Sequence, residues 1–361
     1  VSDPELKNHL ETQLILLSGA SISTLHGFCQ DLIRQYIHKI GWEPDFRLLN
    51  DTEASLLKED ILDQVLEEYY LQGDSAFLEL ADSHGGSADD RTLRSLISTL
   101  HDLSLSQPWP EDWLRKIADQ FTSCSTTDFA QTSWGQVILH HADLVLSECE
   151  HLLFGMIEEA TRRERTYGNT FGNDSETLKA LRIALSQGWD GFSDALAQLK
   201  FQTATWGVSK NAPEIEQEDK VFFESLRNLL KDRVKSLEKF FARSSSELLE
   251  DLTAVAPELT LLSKVTIDFA EVYQKAKIAD GLADFSDLEY GALALLRDES
   301  ASPENPNRPS EVALELCRKY KEVLVDEYQD TNQVQESIIS LLCDHGNAYR
   351  FQVGDVKQSI Y

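Results

Sequence analysis

Residues Lys321–Tyr361 constrain the fold of this chain more than any other stretch. An apolar run, Val323-Leu324-Val325, ends abruptly at a pair of carboxylates, Asp326-Glu327, as a buried parallel strand does when it ends at a site. Val334, Ile338 and Leu341 then recur at i, i+4 and i+7, the spacing of one helix face. A second short strand is predicted over Tyr349–Val353, stopping at Gly354-Asp355. Strand, helix and strand with acids at both carboxyl ends is the layout of an open α/β sheet whose ligand lies along the strand ends. The predicted fold class is therefore α/β with a parallel sheet.

A hydrophobic strand followed by Asp-Glu is the Walker B arrangement. One acid holds Mg²⁺, usually through its waters, and its neighbour orients or deprotonates the attacking water. The bland alternative is an ordinary βαβ unit with acidic strand ends. The company of the motif decides against it: DEYQDTN followed by GDVKQSIY resembles the motif II and motif III pair of the UvrD/Rep/PcrA-like superfamily 1 DNA helicases. The resemblance implies a RecA-like P-loop NTPase motor domain that uses ATP and Mg²⁺. It implies that Asp326 coordinates the metal, that Glu327 is the catalytic base, and that Gln358 senses the γ-phosphate and couples it to DNA. Tyr361 matches a position at the single-stranded DNA track, where an aromatic ring can stack on a base. Gln329 and Asp330 match as well, in a supporting role.

Upstream, the cluster Leu14–Leu17 reads as the end of a helix and Ala20–Thr24 as a short strand. Phe28, Leu32, Ile33, Tyr36, Ile37 and Ile40 form a helical stripe closed by Gly41, the residue favoured just past a helix end. His26 alone would be a polar residue at a helix start. ISTLHGFC, however, resembles the family's T-[FIL]-H-[SG]-F-C motif, which makes Thr24 and His26 candidate contacts to the DNA backbone. Phe46–Leu49 reads as another short strand.

From Asp51 the texture becomes helical. Leu57, Ile61, Val65 and Tyr69 mark one amphipathic helix; Leu93, Leu96, Ile97, Leu100 and Leu103 a second; Phe222, Leu226, Leu229, Leu230, Leu237 and Phe241 a long third. DFSDLEYGALALL near Gly281 resembles the DFDDL motif at which these helicases re-enter the motor domain, with Ser286 departing from the usual acid; Asp284 is also a natural N-cap for Leu288, Ala292 and Leu295. Ser310 caps the helix leading to Tyr320. The expected organisation is thus 1–50 and 282–361 as two pieces of the first motor domain, interrupted over 51–281 by a large all-helical accessory domain.

Charge cuts against nucleic acid at first sight: Lys plus Arg is 33 and Asp plus Glu is 62, a net −29, where phosphate binding needs local positive charge. A narrow DNA track, though, needs only a local lining of donors and rings. Two basic clusters stand out, Arg162-Arg163-x-Arg165 and the series Lys231, Arg233, Lys235, Lys239, Arg243. They read either as solvated helix faces with acidic partners such as Glu238 or as phosphate contacts. The five cysteines, Cys29, Cys124, Cys149, Cys317 and Cys343, are scattered without a C-x-x-C pair, which argues against a disulfide framework or metal cluster and for reduced, buried thiols. No apolar run is long enough to span a bilayer, and the expected location is cytoplasmic.

No G-x-x-x-x-G-K-[ST] phosphate loop occurs anywhere in the sequence, so a Walker B element without a Walker A reads as part of a longer protein. SISTLHGFC, DTEASLLKEDILDQVLEEYY, PWPEDWL and DFSDLEYGALALL together resemble the AddA-type subunits of bacterial AddAB helicase–nucleases. That resemblance implies work on single-stranded DNA and double-strand ends beside an AddB-like partner subunit, with a nuclease domain outside this sequence. Two alternatives stand beside it: a non-hydrolysing helicase-like scaffold, and a UvrD-like translocase without nuclease.

Overall fold

The computed structural model describes residues 4–17, 20–85, 90–122, 128–209, 211–346 and 348–359. In chain order the regular elements are α1 (Pro4–Leu17), α2 (Leu25–Ile40), β1 (Arg47–Leu48), α3 (Asp51–Gln72), α4 (Ser75–Gly85), α5 (Arg91–Ser104) and α6 (Pro110–Thr122). There follow α7 (Ser133–Arg162), α8 (Thr170–Ser186), α9 (Trp189–Ala197), α10 (Glu214–Lys235) and α11 (Ser245–Ala279). The chain closes with β2 (Leu282–Ala283), α12 (Phe285–Leu296), α13 (Glu311–Lys319), β3 (Glu322–Val325), α14 (Gln333–Cys343) and β4 (Tyr349–Gln352). Two compact units result. One combines 1–119 with 258–361, the other is 120–257, and the second boundary falls at Pro257 inside α11.

The first unit is predominantly helical with two small parallel sheets, β1–β2 and β3–β4. In the second of these, Glu322 pairs with Tyr349, Val323 with Arg350, Leu324 with Phe351 and Val325 with Gln352. Its core gathers Cys29, Leu32 and Ile33 of α2, Leu288, Ala292 and Leu296 of α12, and Val334, Ile338 and Leu341 of α14, with Val323 and Val325 of β3 packed against them. The predicted stripe of α2 is therefore its buried face, and Gly41 ends the helix in the left-handed conformation, φ 69°. Asp284 is the N-cap of α12, its carboxylate accepting from the Asp287 backbone N–H at 3.0 Å in a reciprocal capping box. Ser310 caps α13 through its side chain alone, Oγ accepting from the Ala313 backbone N–H at 3.2 Å.

Three local expectations are corrected. Ala20–Thr24 is not a strand: Ile22 is 80% exposed and the segment leads directly into the N-cap of α2. Strand β3 is not buried on both faces. Its even positions look outward, and Leu324 remains 67% exposed beside exposed Tyr349 and Phe351, because only the α14 side of this two-stranded sheet is covered by the described residues. The third amphipathic helix ends at Lys235, earlier than its apolar spacing suggests, so Leu237 and Phe241 are buried from a turn beyond it.

In the second unit, α7–α10 surround a core of Leu146, Leu153, Trp189, Phe192, Leu230 and Val234. Four cysteines, Cys29, Cys149, Cys317 and Cys343, are buried free thiols; Cys124 lies outside the described residues.

Candidate nucleotide and nucleic-acid site

Strand β3 ends at Val325 and delivers Asp326 and Glu327 to the carboxyl edge of its sheet, both exposed. The Asp326 Oδ1 accepts from the Glu327 backbone N–H at 3.0 Å. Glu327 itself sits in the left-handed region, φ 52° and ψ 39°, a conformation that costs a non-glycine residue free energy and persists where its surroundings enforce it. The enforcement is visible. Tyr328 N donates to Val353 O at 2.9 Å, so the chain after Glu327 is tied to the end of β4, and Gln329 reaches back to donate its amide to the Glu327 carboxylate.

The same Gln329 side chain faces the second strand end. Its Oε1 accepts from Asp355 N at 3.0 Å, and the Asp355 carboxylate accepts from Gln358 Nε2 at 3.1 Å and from Lys357 N at 3.0 Å. A continuous line of hydrogen bonds thus joins Glu327, Gln329, Asp355 and Gln358. Gly354 makes it possible: a Cβ there would lie 2.6 Å from Gln329 Oε1 and 3.0 Å from Gln329 N, so any side chain would displace the amide. The wall behind is held by Glu336 of α14. Burial pushes its carboxyl up, but the Arg350 guanidinium with the Tyr328 and Ser340 hydroxyls outweighs that and leaves it below its ordinary range.

Thr24 and His26 lie at the start of α2. Thr24 is its N-cap, Oγ1 accepting from Gly27 N at 3.2 Å. His26 places Nε2 3.2 Å from Glu289 Oε1 of α12 and rests its ring edge-on to Phe285, centroids 5.3 Å apart. The Glu289 hydrogen bond holds the imidazole above its ordinary range against an opposing push from burial. Tyr361 lies outside the described residues. The structure therefore links Glu327 to Gln358 and seats Asp326 beside them, while Thr24 and His26 form a separate group. Sequence reasoning missed Gln329 as the bridge, Gly354 as the clearance it needs, and Glu289. The signal for Glu289 is one acid within the apolar run Leu288–Leu296.

The arginines of the second unit's basic clusters are engaged with acids. Arg162 and Arg163 bond Glu159, and Arg163 and Arg165 bond Asp219 at 2.6 Å each. Arg233 pairs with Glu148 and Arg243 with Asp251.

The UvrD/REP helicase N-terminal domain family matches residues 4–361, and the chain belongs to that family. Among curated relatives, proteins named as the A-type subunit of an ATP-dependent helicase/nuclease align over 98% of this chain: from Heliobacterium modesticaldum at 36% identity, Acetivibrio thermocellus at 33% and Desulforamulus reducens at 37%. The chain spans 26%, 28% and 28% of their respective lengths.

Proposed function

We propose that the chain is part of the ATP-driven motor of a DNA helicase–nuclease that unwinds and processes double-strand ends for recombinational repair. The observation that carries this reading is the hydrogen-bonded line from Glu327 to Gln358, which joins the acid after one strand to the amide after the next. We read 1–50 and 282–361 as two pieces of one RecA-like P-loop NTPase domain, with 51–281 as a helical accessory domain inserted between them.

Asp326 is the residue to hold Mg²⁺. Among the described residues no three His, Cys, Asp or Glu side chains cluster as an all-protein cage would need. An exposed carboxylate beside a second one suits an ion that keeps most of its waters. When bound with ATP, the ion neutralises charge on the transferring phosphoryl group. Glu327, fixed by its backbone and by the Gln329 amide, takes the proton of the attacking water. Gln358 reports the γ-phosphate through Asp355 and Gln329. Thr24 and His26 contact the DNA backbone, and Tyr361 stacks on a base of the single strand.

The names of the relatives favour a helicase–nuclease over a plain UvrD-like translocase; our reading adds an AddB-like partner and a cytoplasmic location. The complete strand-end pair with its bonded Gln358 speaks against a non-hydrolysing scaffold. The test is ATP hydrolysis by the full-length protein with and without single-stranded DNA. Glu327→Gln is expected to cut turnover about 10²–10⁴-fold; a wild-type protein without DNA-dependent turnover overturns the reading in favour of the scaffold.

A further inference from the structure

We infer that Glu289 is a positioning residue that sets His26 for phosphate contact and anchors it to the helix following the strand-end acids. Its carboxylate is buried, with 5% of the side chain exposed, and takes hydrogen bonds from two different helices. His26 Nε2 of α2 approaches Oε1 at 3.2 Å, and Gln335 Nε2 of α14 donates to the same oxygen at 2.7 Å. Gln335 is itself placed by its backbone N–H, which donates to the N-cap Asn332 at 2.8 Å, two residues after the strand-end turn closes at Asp330.

The chemistry follows from the two ring nitrogens. With Nε2–H given to Glu289, a neutral imidazole has a bare Nδ1, an acceptor that a phosphate repels. The imidazolium carries N–H on both and can give Nδ1–H to a phosphate oxygen while keeping Glu289. A buried carboxylate at Nε2 favours that charged form, consistent with the raised titration of His26. The other groups facing Glu289 do not compete for the role: Gln335 is neutral, and burial first and then Glu289 itself push the Cys29 thiol up to about 12 and raise the Tyr290 hydroxyl.

This inference rests on the reading of His26 as a DNA contact, and the test separates the two. Single-stranded DNA affinity of the full-length protein is measured by fluorescence anisotropy between pH 6 and 9 for the wild type, Glu289→Gln, His26→Ala and His26→Lys. Glu289→Gln should move the pH profile down, losing about tenfold in affinity near pH 8, the size of one charge-assisted hydrogen bond, and recovering toward pH 6. His26→Lys, charged throughout, should flatten the profile. If His26→Ala leaves affinity and profile unchanged, the DNA-contact reading falls and this inference with it. If His26→Ala weakens binding but Glu289→Gln keeps the wild-type profile, or His26→Lys keeps the pH dependence, only the role of Glu289 is overturned.

Discussion

The strand-end region and the helical unit 120–257 use charge in opposite ways. Around β3 and β4, Asp326, Glu327 and Asp355 are exposed and bonded to amides, and among the described residues none of the three has a salt bridge. In the helical unit, arginines are matched to acids: Glu159 takes two, Asp219 takes two, and Arg227 is buried against Asp174 through bonds of 2.6 and 2.8 Å. At the strand ends the acids are held in place without a counter-ion, whereas in the helical unit the arginines are neutralised by acids. A count of acidic or basic residues does not separate the two cases; their partners do.

The comparison breaks most sharply at Arg227. Its side chain is 4% exposed and that of Asp174 is fully buried, so Arg227→Ala strands a carboxylate and should cost about 3–5 kcal/mol in urea denaturation. A cost below about 1 kcal/mol would show that water reaches the pair, and that the helical unit does not depend on matched charge. Gly354→Ala should cost less, about 1–3 kcal/mol, because the new methyl meets Gln329 within 2.6 Å; DNA-stimulated hydrolysis should fall with it, and full stability with full turnover would mean that the turn has room to spare. The smallest effect is expected for Arg162→Ala. Its side chain is 76% exposed and already paired with Glu159, so DNA affinity should stay within about twofold and its salt dependence unchanged. A salt slope smaller by about one would instead assign that cluster to a phosphate.

Much of the strand-end region could be read from sequence because its signals are local: three apolar residues before Asp326-Glu327, a helix face of Val334, Ile338 and Leu341, and glycine at position 354. The N-caps Asp284 and Ser310 were equally legible, since a cap acts within its own first turn. What escaped depends on distant partners. In α10 the buried face is Asp219, Phe223, Arg227, Leu230 and Val234; of the predicted stripe Leu230 lies on it, while Phe222 and Leu229 are exposed. Two of its core positions carry charges whose partners lie on other segments, and an apolar-spacing rule passes over them. Glu289 escaped for the same reason, because His26 and Gln335 are brought to it only by packing of α2 and α14 against α12. The clearance at Gly354 becomes meaningful only once Gln329 is seen beside it.

The central claim is that Glu327 and Gln358 act as one unit through Gln329 and Asp355. A double-mutant cycle tests it directly, with Gln329→Ala, Gln358→Ala and the pair compared for DNA-stimulated ATP hydrolysis in the full-length protein. The connected line predicts that the pair loses little more than the worse single variant, a coupling of about 0.5–3 kcal/mol. Losses that simply add would contradict it, showing that Gln329 and the sensor Gln358 work independently.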